Sequence, residues 1–174
     1  KGFPNRVLKT YPLERPEVYR QFATPYPETS VRQWTKIDPR IAWLQTLLES
    51  SGEDKFLLIC AHQQIALDIE MSLSKTTTIR LALFHEGMNL VARDRAANYF
   101  SDTDRGAQLL ICSEIGSEGR NFQFASNIVL FDLPLGPDLL EQRIGRLDRI
   151  GQQRDVSIHV PFLKSTIQSS LLRI

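Results

Sequence analysis

The sequence holds only two cysteines, Cys60 and Cys112, and three histidines, His62, His85 and His159, in 174 residues. Two thiols with no histidine at ligand spacing exclude an ordinary zinc site, and no metal site is expected. Each cysteine closes an apolar run, KFLLIC and AQLLIC, so both are expected as reduced, buried core thiols of a cytosolic protein. No apolar run approaches the roughly 20 residues of a transmembrane helix, and no signal-peptide pattern heads the chain, so no membrane partner is expected. The formal charge of +1 excludes a strongly basic, histone-like binder but allows a local basic groove. Internal repeats and low-complexity tracts are missing. So are the GxxxxGK[ST] loop that cradles a triphosphate and an acidic strand-end pair suited to magnesium. The segment CAHQQIAL, Cys60 to Leu67, contains no glycine, which counts against a dinucleotide-binding oxidoreductase with GxGxxG after its first strand.

A 42% hydrophobic composition over this length suits one globular domain with a real core. The chain starts at Lys1 and stops at Ile174 just after an apolar segment, and a piece of a longer protein is expected. Residues 1–36 form a Pro-rich, partly irregular opening segment interrupted by Pro4, Pro12, Pro16, Pro25 and Pro27. Within it, Arg6 to Tyr11 suggests a short edge strand and Glu17 to Phe22 a turn or two of helix. Residues 37–174 read as a single domain. Asp38 as N-cap and Pro39 at the first helical position open an amphipathic helix carrying Ile41, Leu44, Leu47 and Leu48, with Trp43 partly in the core.

After Gly52 strands and helices alternate. Strands are expected at Lys55–Cys60, Ile79–Phe84, Ala107–Cys112, Asn127–Asp132 and Val156–Val160, with helices near 63–73 and 90–100 between them. Strands apolar on both faces and separated by helices imply an α/β domain of three layers around a mostly parallel sheet. Ligands of such sheets gather beyond the carboxyl ends of the strands. The unusual loops HEGMN (85–89), SEIGSEGRN (113–121) and DLPLGPD (132–138) are expected there.

The segment DLLEQRIGRLDRIGQ, Asp138 to Gln152, is the sharpest feature. As one helix, at about 100° per residue, it places Gln142, Arg146 and Arg149 on one face and Leu140, Ile144 and Leu147 on the other. Asp138 is the expected N-cap, with Glu141 completing a capping box and Pro137 marking the boundary. Such a face is either a solvated basic surface or a pair of guanidiniums aimed at an anion.

The series LLICAH, FHEGMNLVARDRAANYF, ICSEIGSEGRNFQFASNIVLFDLP and LLEQRIGRLDRIGQ resembles the second RecA-like lobe of superfamily 2 helicase-like ATPases of the Swi/Snf type. It is most similar to the branch associated with bacterial RNA polymerase, over roughly Asp38 to Lys164. The resemblance implies a P-loop NTPase-like C-terminal lobe of an ATP-dependent nucleic-acid translocase. ATP and Mg2+ would be bound mainly by an N-terminal RecA-like lobe of the same chain. DNA or RNA and the RNA polymerase core would be partners, in transcription regulation and polymerase recycling, in the bacterial cytoplasm near the nucleoid. Arg146 and Arg149 would be arginine fingers, worth about 10³–10⁵ in rate in other enzymes. Gln142, Glu118, Gly119 and Asn121 would face the nucleotide, and Ser113, His85, Gly87, Arg93 and Gly116 the nucleic acid. Plainer alternatives are that His85 caps a helix and that Arg93 pairs with Asp94 or Asp102. Many family members carry histidine at the position of Asp148 and asparagine at that of Gly136. Asp148 is placed to pair with one of the arginines and orient or attenuate it. A non-catalytic module that docks nucleic acid or polymerase is the alternative function.

Overall fold

The computed structural model describes residues 4–114 and 120–173. Six strands make one sheet: β1 (Arg6–Leu13), β2 (Phe56–Cys60), β3 (Leu81–Phe84), β4 (Leu109–Ser113), β5 (Asn127–Leu130) and β6 (Val156–Leu163). Their order is β1-β6-β5-β2-β4-β3, and every pairing is parallel. Helices α1 (Pro39–Glu49), α2 (Gln63–Thr76), α3 (Leu90–Ser101), α4 (Pro137–Ile144) and α5 (Ile167–Leu171) supply the outer layers. The central strands β2 and β4 are buried along their whole length, which is why they read as unbroken apolar runs.

Two cores flank the sheet. On one face Leu44 and Leu48 of α1 and Ile65, Ile69 and Leu73 of α2 pack on Phe56, Leu58 and Ile111. On the other, Phe100 of α3, Ile144 of α4, Leu147 and the loop residue Phe122 pack on Leu57, Ile59, Phe84 and Leu130. Leu171 of α5, a short helix the sequence pattern did not announce, joins the second core from its rim.

The opening segment is built into the fold. Its edge strand runs two residues beyond the expected Tyr11, and Pro12 sits where an edge strand tolerates a missing donor. Three short 3-10 turns follow, at Glu17–Gln21, Pro27–Ser30 and Trp34–Lys36. The first two are tied to a buried ion cluster at the start of α1. Asp38 caps the helix by accepting from the Arg40 amide at 3.0 Å, and the Arg40 guanidinium bonds Asp38 at 2.7 Å and approaches Glu28 at 3.3 Å. The Tyr19 hydroxyl donates to Asp38 at 2.8 Å, and burial beside that carboxylate pushes the phenol pKa far up. Trp34 enters the α2-side core with its indole N–H on Asp68, and Trp43 lies half-buried against Tyr11.

Candidate functional site

The carboxyl ends of β3 and β4 bring His85, Gly87, Arg93 and Ser113 together. Ser113, fully buried at the end of β4, donates its hydroxyl to the Glu86 carboxylate. Arg93, in the first turn of α3, donates to the His85 carbonyl at 3.2 Å and to the Glu86 carbonyl at 2.8 Å. It therefore straps the 85–89 loop instead of pairing with Asp94 or Asp102. His85 is not a helix cap: its Nδ1 accepts from the Gly87 amide at 3.1 Å, while Asn89 caps α3 by accepting from Ala92 at 2.8 Å. Asp94 pairs with Arg120 at 2.7 Å.

Beside this cluster lies an ion hub that sequence reasoning missed. Arg143 of α4 is 1% exposed, and its guanidinium forks onto Glu114, just past β4, and reaches Asp132, just past β5, at 3.1 Å. The second Asp132 oxygen accepts from the Ala61 amide, past β2, at 2.9 Å. Two carboxylates and one guanidinium thus join three strand ends to α4. Burial alone would lower the Arg143 pKa, but the Glu114 hydrogen bonds and the Asp132 charge hold it above its ordinary value. A signal existed in the sequence: position 143 falls at the margin of the Leu140/Ile144/Leu147 stripe, where a charge needs buried partners.

The arginine segment departs from the expected single helix. Gly136, not Asp138, is the N-cap and makes no side-chain cap bond; Pro137 is the first helical residue. The helix stops at Ile144, with Gly145 as its C-cap, because glycine propagates a helix poorly. Arg146 and Arg149 therefore sit in the tight turns that follow, closed by Arg146 N–H to Arg143 C=O at 3.2 Å and Gln152 N–H to Arg149 C=O at 2.9 Å. The expected apolar side holds, with Ile144 and Leu147 buried, and Gln142 and Arg149 are exposed. Arg146 is only 8% exposed, and its Nη1 donates to the Arg120 carbonyl at 3.3 Å. The Arg149 Nε donates back to the Gly145 carbonyl at 2.8 Å, and no carboxylate pairs with it among the described residues. Asp148 does not pair with either arginine in any described contact; its partner is Arg6 of β1, at 2.6 Å.

This segment does not lie at the carboxyl ends of the strands. On the α3/α4 face Phe122 and Phe124 pack against Phe100, and the Phe122 amide donates to the Arg146 carbonyl at 2.7 Å. Asn121 and Gln123 consequently stand beside the arginine turns and near the start of β5. Gln152 pins them there: 7% exposed, its amide donates to the carbonyls of Gln123, Ala125 and Leu147 at 3.0–3.1 Å. A positive φ of 102° at Gly151 lets the chain turn into that position. Asn121, Gln123, Gly151 and Arg154 line a shallow cavity of about 520 Å³. The candidates thus form two groups, a strand-end group and an arginine group. Residues 114–121 connect them; Gly116, Glu118 and Gly119 lie outside the described residues.

Chemically, the arginine group offers a polar, guanidinium-bearing surface fit for an anion. Among the described residues no cluster of acidic, histidine or cysteine side chains is placed to hold a metal. The thiols of Cys60 and Cys112 are free, buried and held protonated by burial, so they offer no nucleophile. No helix of the described residues is long and apolar enough to cross a membrane.

The family described as "Helicase conserved C-terminal domain" matches residues 39–151. The RNA polymerase-associated protein RapA of Pseudomonas putida is 49% identical over 187 residues, covering 99% of this chain and 20% of the relative. RapA of Photobacterium profundum is 48% identical over 196 residues, covering 98% of this chain and 20% of the relative. The chain spans about a fifth of the length of these curated relatives. A crystal structure of the C-terminal part of the Fun30 ATPase domain matches with a TM-score of 0.69 at 23% identity, covering 80% of this chain and 46% of that one, and supports the fold.

Proposed function

The chain belongs to the family of helicase conserved C-terminal domains, and from that membership we propose that it is the second RecA-like lobe of an ATP-driven translocase. The translocase acts on DNA or RNA in the company of RNA polymerase. The polymerase is proposed because the relatives are named for their association with it. One observation carries the catalytic part: the exposed Arg149 guanidinium, without a carboxylate partner among the described residues, in the turn that also holds Arg146.

ATP with Mg2+ would bind mainly to an N-terminal RecA-like lobe of the same protein, since this chain has no phosphate loop and no acidic metal cluster among the described residues. When bound, ATP supplies a phosphoryl group on which negative charge develops during hydrolysis. Arg149 and Arg146 would stabilise that charge, and Gln142 and Asn121 would orient the nucleotide. Gly119 and Glu118 carry the same assignment by resemblance. On the strand-end side, Ser113, His85, Gly87 and Arg93, with Gly116, would meet the nucleic-acid backbone. The bonds from Arg93 to two loop carbonyls support a rigid 85–89 loop suited to that task. Arg143, bonded to both Glu114 and Asp132, gives the two groups a physical link.

The test is Arg149→Ala in the full-length protein. ATP hydrolysis stimulated by nucleic acid is expected to fall by about 10³ or more, with ATP affinity unchanged in equilibrium binding. Turnover close to wild type in that variant sinks the finger assignment.

A further inference from the structure

Arg6 lies outside residues 39–151, which the helicase family matches, and reaches into them. It opens β1, where its register partner is Val156, the first residue of β6. Its neighbour Asn5 is fixed at the same place, with its amide on Asp155 Oδ1 at 2.9 Å and its carbonyl accepting from the Val156 amide at 2.9 Å. The backbone of Arg6 is thus anchored beside the strand into which the arginine turns lead.

From that anchor the guanidinium spans two acids. Its Nε donates to Asp148 Oδ2 at 2.6 Å, and its Nη1 donates to both Glu141 oxygens at 3.0 and 2.8 Å. Glu141 precedes Gln142 on α4, and Asp148 precedes Arg149. One side chain therefore bridges both ends of the interval in which α4 stops at Ile144. A lone exposed ion pair is worth little, but a planar guanidinium engaging one carboxylate on α4 and another in the turn after it fixes geometry as well as charge. The Arg6 side chain is 41% exposed and Asp148 only 22%, so the Asp148 arm is partly shielded.

We propose that Arg6 is a positioning residue for Arg149, holding the turn after α4 in one geometry through Glu141 and Asp148. The inference rests on the finger assignment above and extends it to the strand β1. It gives the upstream segment a direct hand in turnover.

The test uses the full-length protein with its nucleic acid and compares Arg6→Gln, Arg6→Lys and Arg149→Ala. Arg6→Gln is expected to lower kcat about tenfold while leaving KM for ATP unchanged. Arg6→Lys, a point charge without the fork, should recover part of the loss. Hydrogen exchange should accelerate at the amides of residues 145–152 in Arg6→Gln and stay unchanged along β6. Normal kcat in Arg6→Gln, alongside an inactive Arg149→Ala, overturns the positioning role and leaves the finger assignment standing. Loss of protection along β6 as well makes Arg6 a sheet residue only and also overturns it. If Arg149→Ala retains turnover, the finger assignment falls, and the exchange at 145–152 still decides whether Arg6 holds the turn.

Discussion

His159 shows what burial does to one side chain here. On β6 it is 3% exposed, packed against Tyr11 and Phe56. Its ring nitrogens meet the Tyr11 hydroxyl at 3.0 Å and the Asn127 amide oxygen at 3.2 Å. With Nε2–H donating to Asn127 and Nδ1 accepting from Tyr11, both nitrogens of the neutral imidazole are satisfied. Burial, followed by the positive charge of Lys9 on the adjoining strand, lowers its pKa to about 4. The unfolded chain takes up that proton near pH 6.5, so the contribution to stability is complete above pH 6.5 and is lost as pH falls toward 4. It amounts to about 3 kcal/mol at most. Urea denaturation at pH 7.5 and pH 5 should show a loss in the wild type that is smaller in His159→Gln. Equal losses would mean that His159 is not the titrating group.

At the scale of elements, α4 is short, and its Arg143 ties it to the strand ends through Glu114 and Asp132. Arg143→Gln removes the guanidinium but leaves Asp132 and Glu114 facing each other in a buried place. The expected cost is about 3–5 kcal/mol, measured as a fall in the denaturation midpoint; a change below about 1 kcal/mol would show the hub to be dispensable. Five strands and the first three helices were legible from apolar runs, helical spacing and the Asp38 cap, and the edge strand from Arg6 from its short run between prolines, because burial on both faces of a sheet and a capping residue at a helix start are local signals. The early end of α4 was half legible. Gly145 sits in the pattern, but the Leu140/Ile144/Leu147 periodicity continues past it, and tight turns preserve that periodicity without a helix. The partners of Asp148 and Arg143 were not legible, since Arg6 and Glu114 are remote in sequence and meet them only through the order of strands. Gln152 gave no sign of its role, because an amide that satisfies three carbonyls looks like any surface glutamine until the loop is folded around it.

At the scale of the molecule, the chain carries two cores, one on each face of a fully parallel sheet. The chain alone is therefore expected to unfold cooperatively, with fluorescence and circular dichroism giving coincident transitions. It is also expected to hydrolyse no ATP, with or without DNA or RNA, because it lacks a phosphate loop. Phosphate release from the chain alone would place a complete active site within it. The placement of β1 has a mechanical consequence. Its eight residues pair in register with β6 from Arg6↔Val156 to Leu13↔Leu163, so a pull along β1 strains the whole ladder in shear and cannot peel it one bond at a time. Tension arriving through the segment upstream would move this lobe as one stiff body, and the turn bearing Arg149 would travel with it.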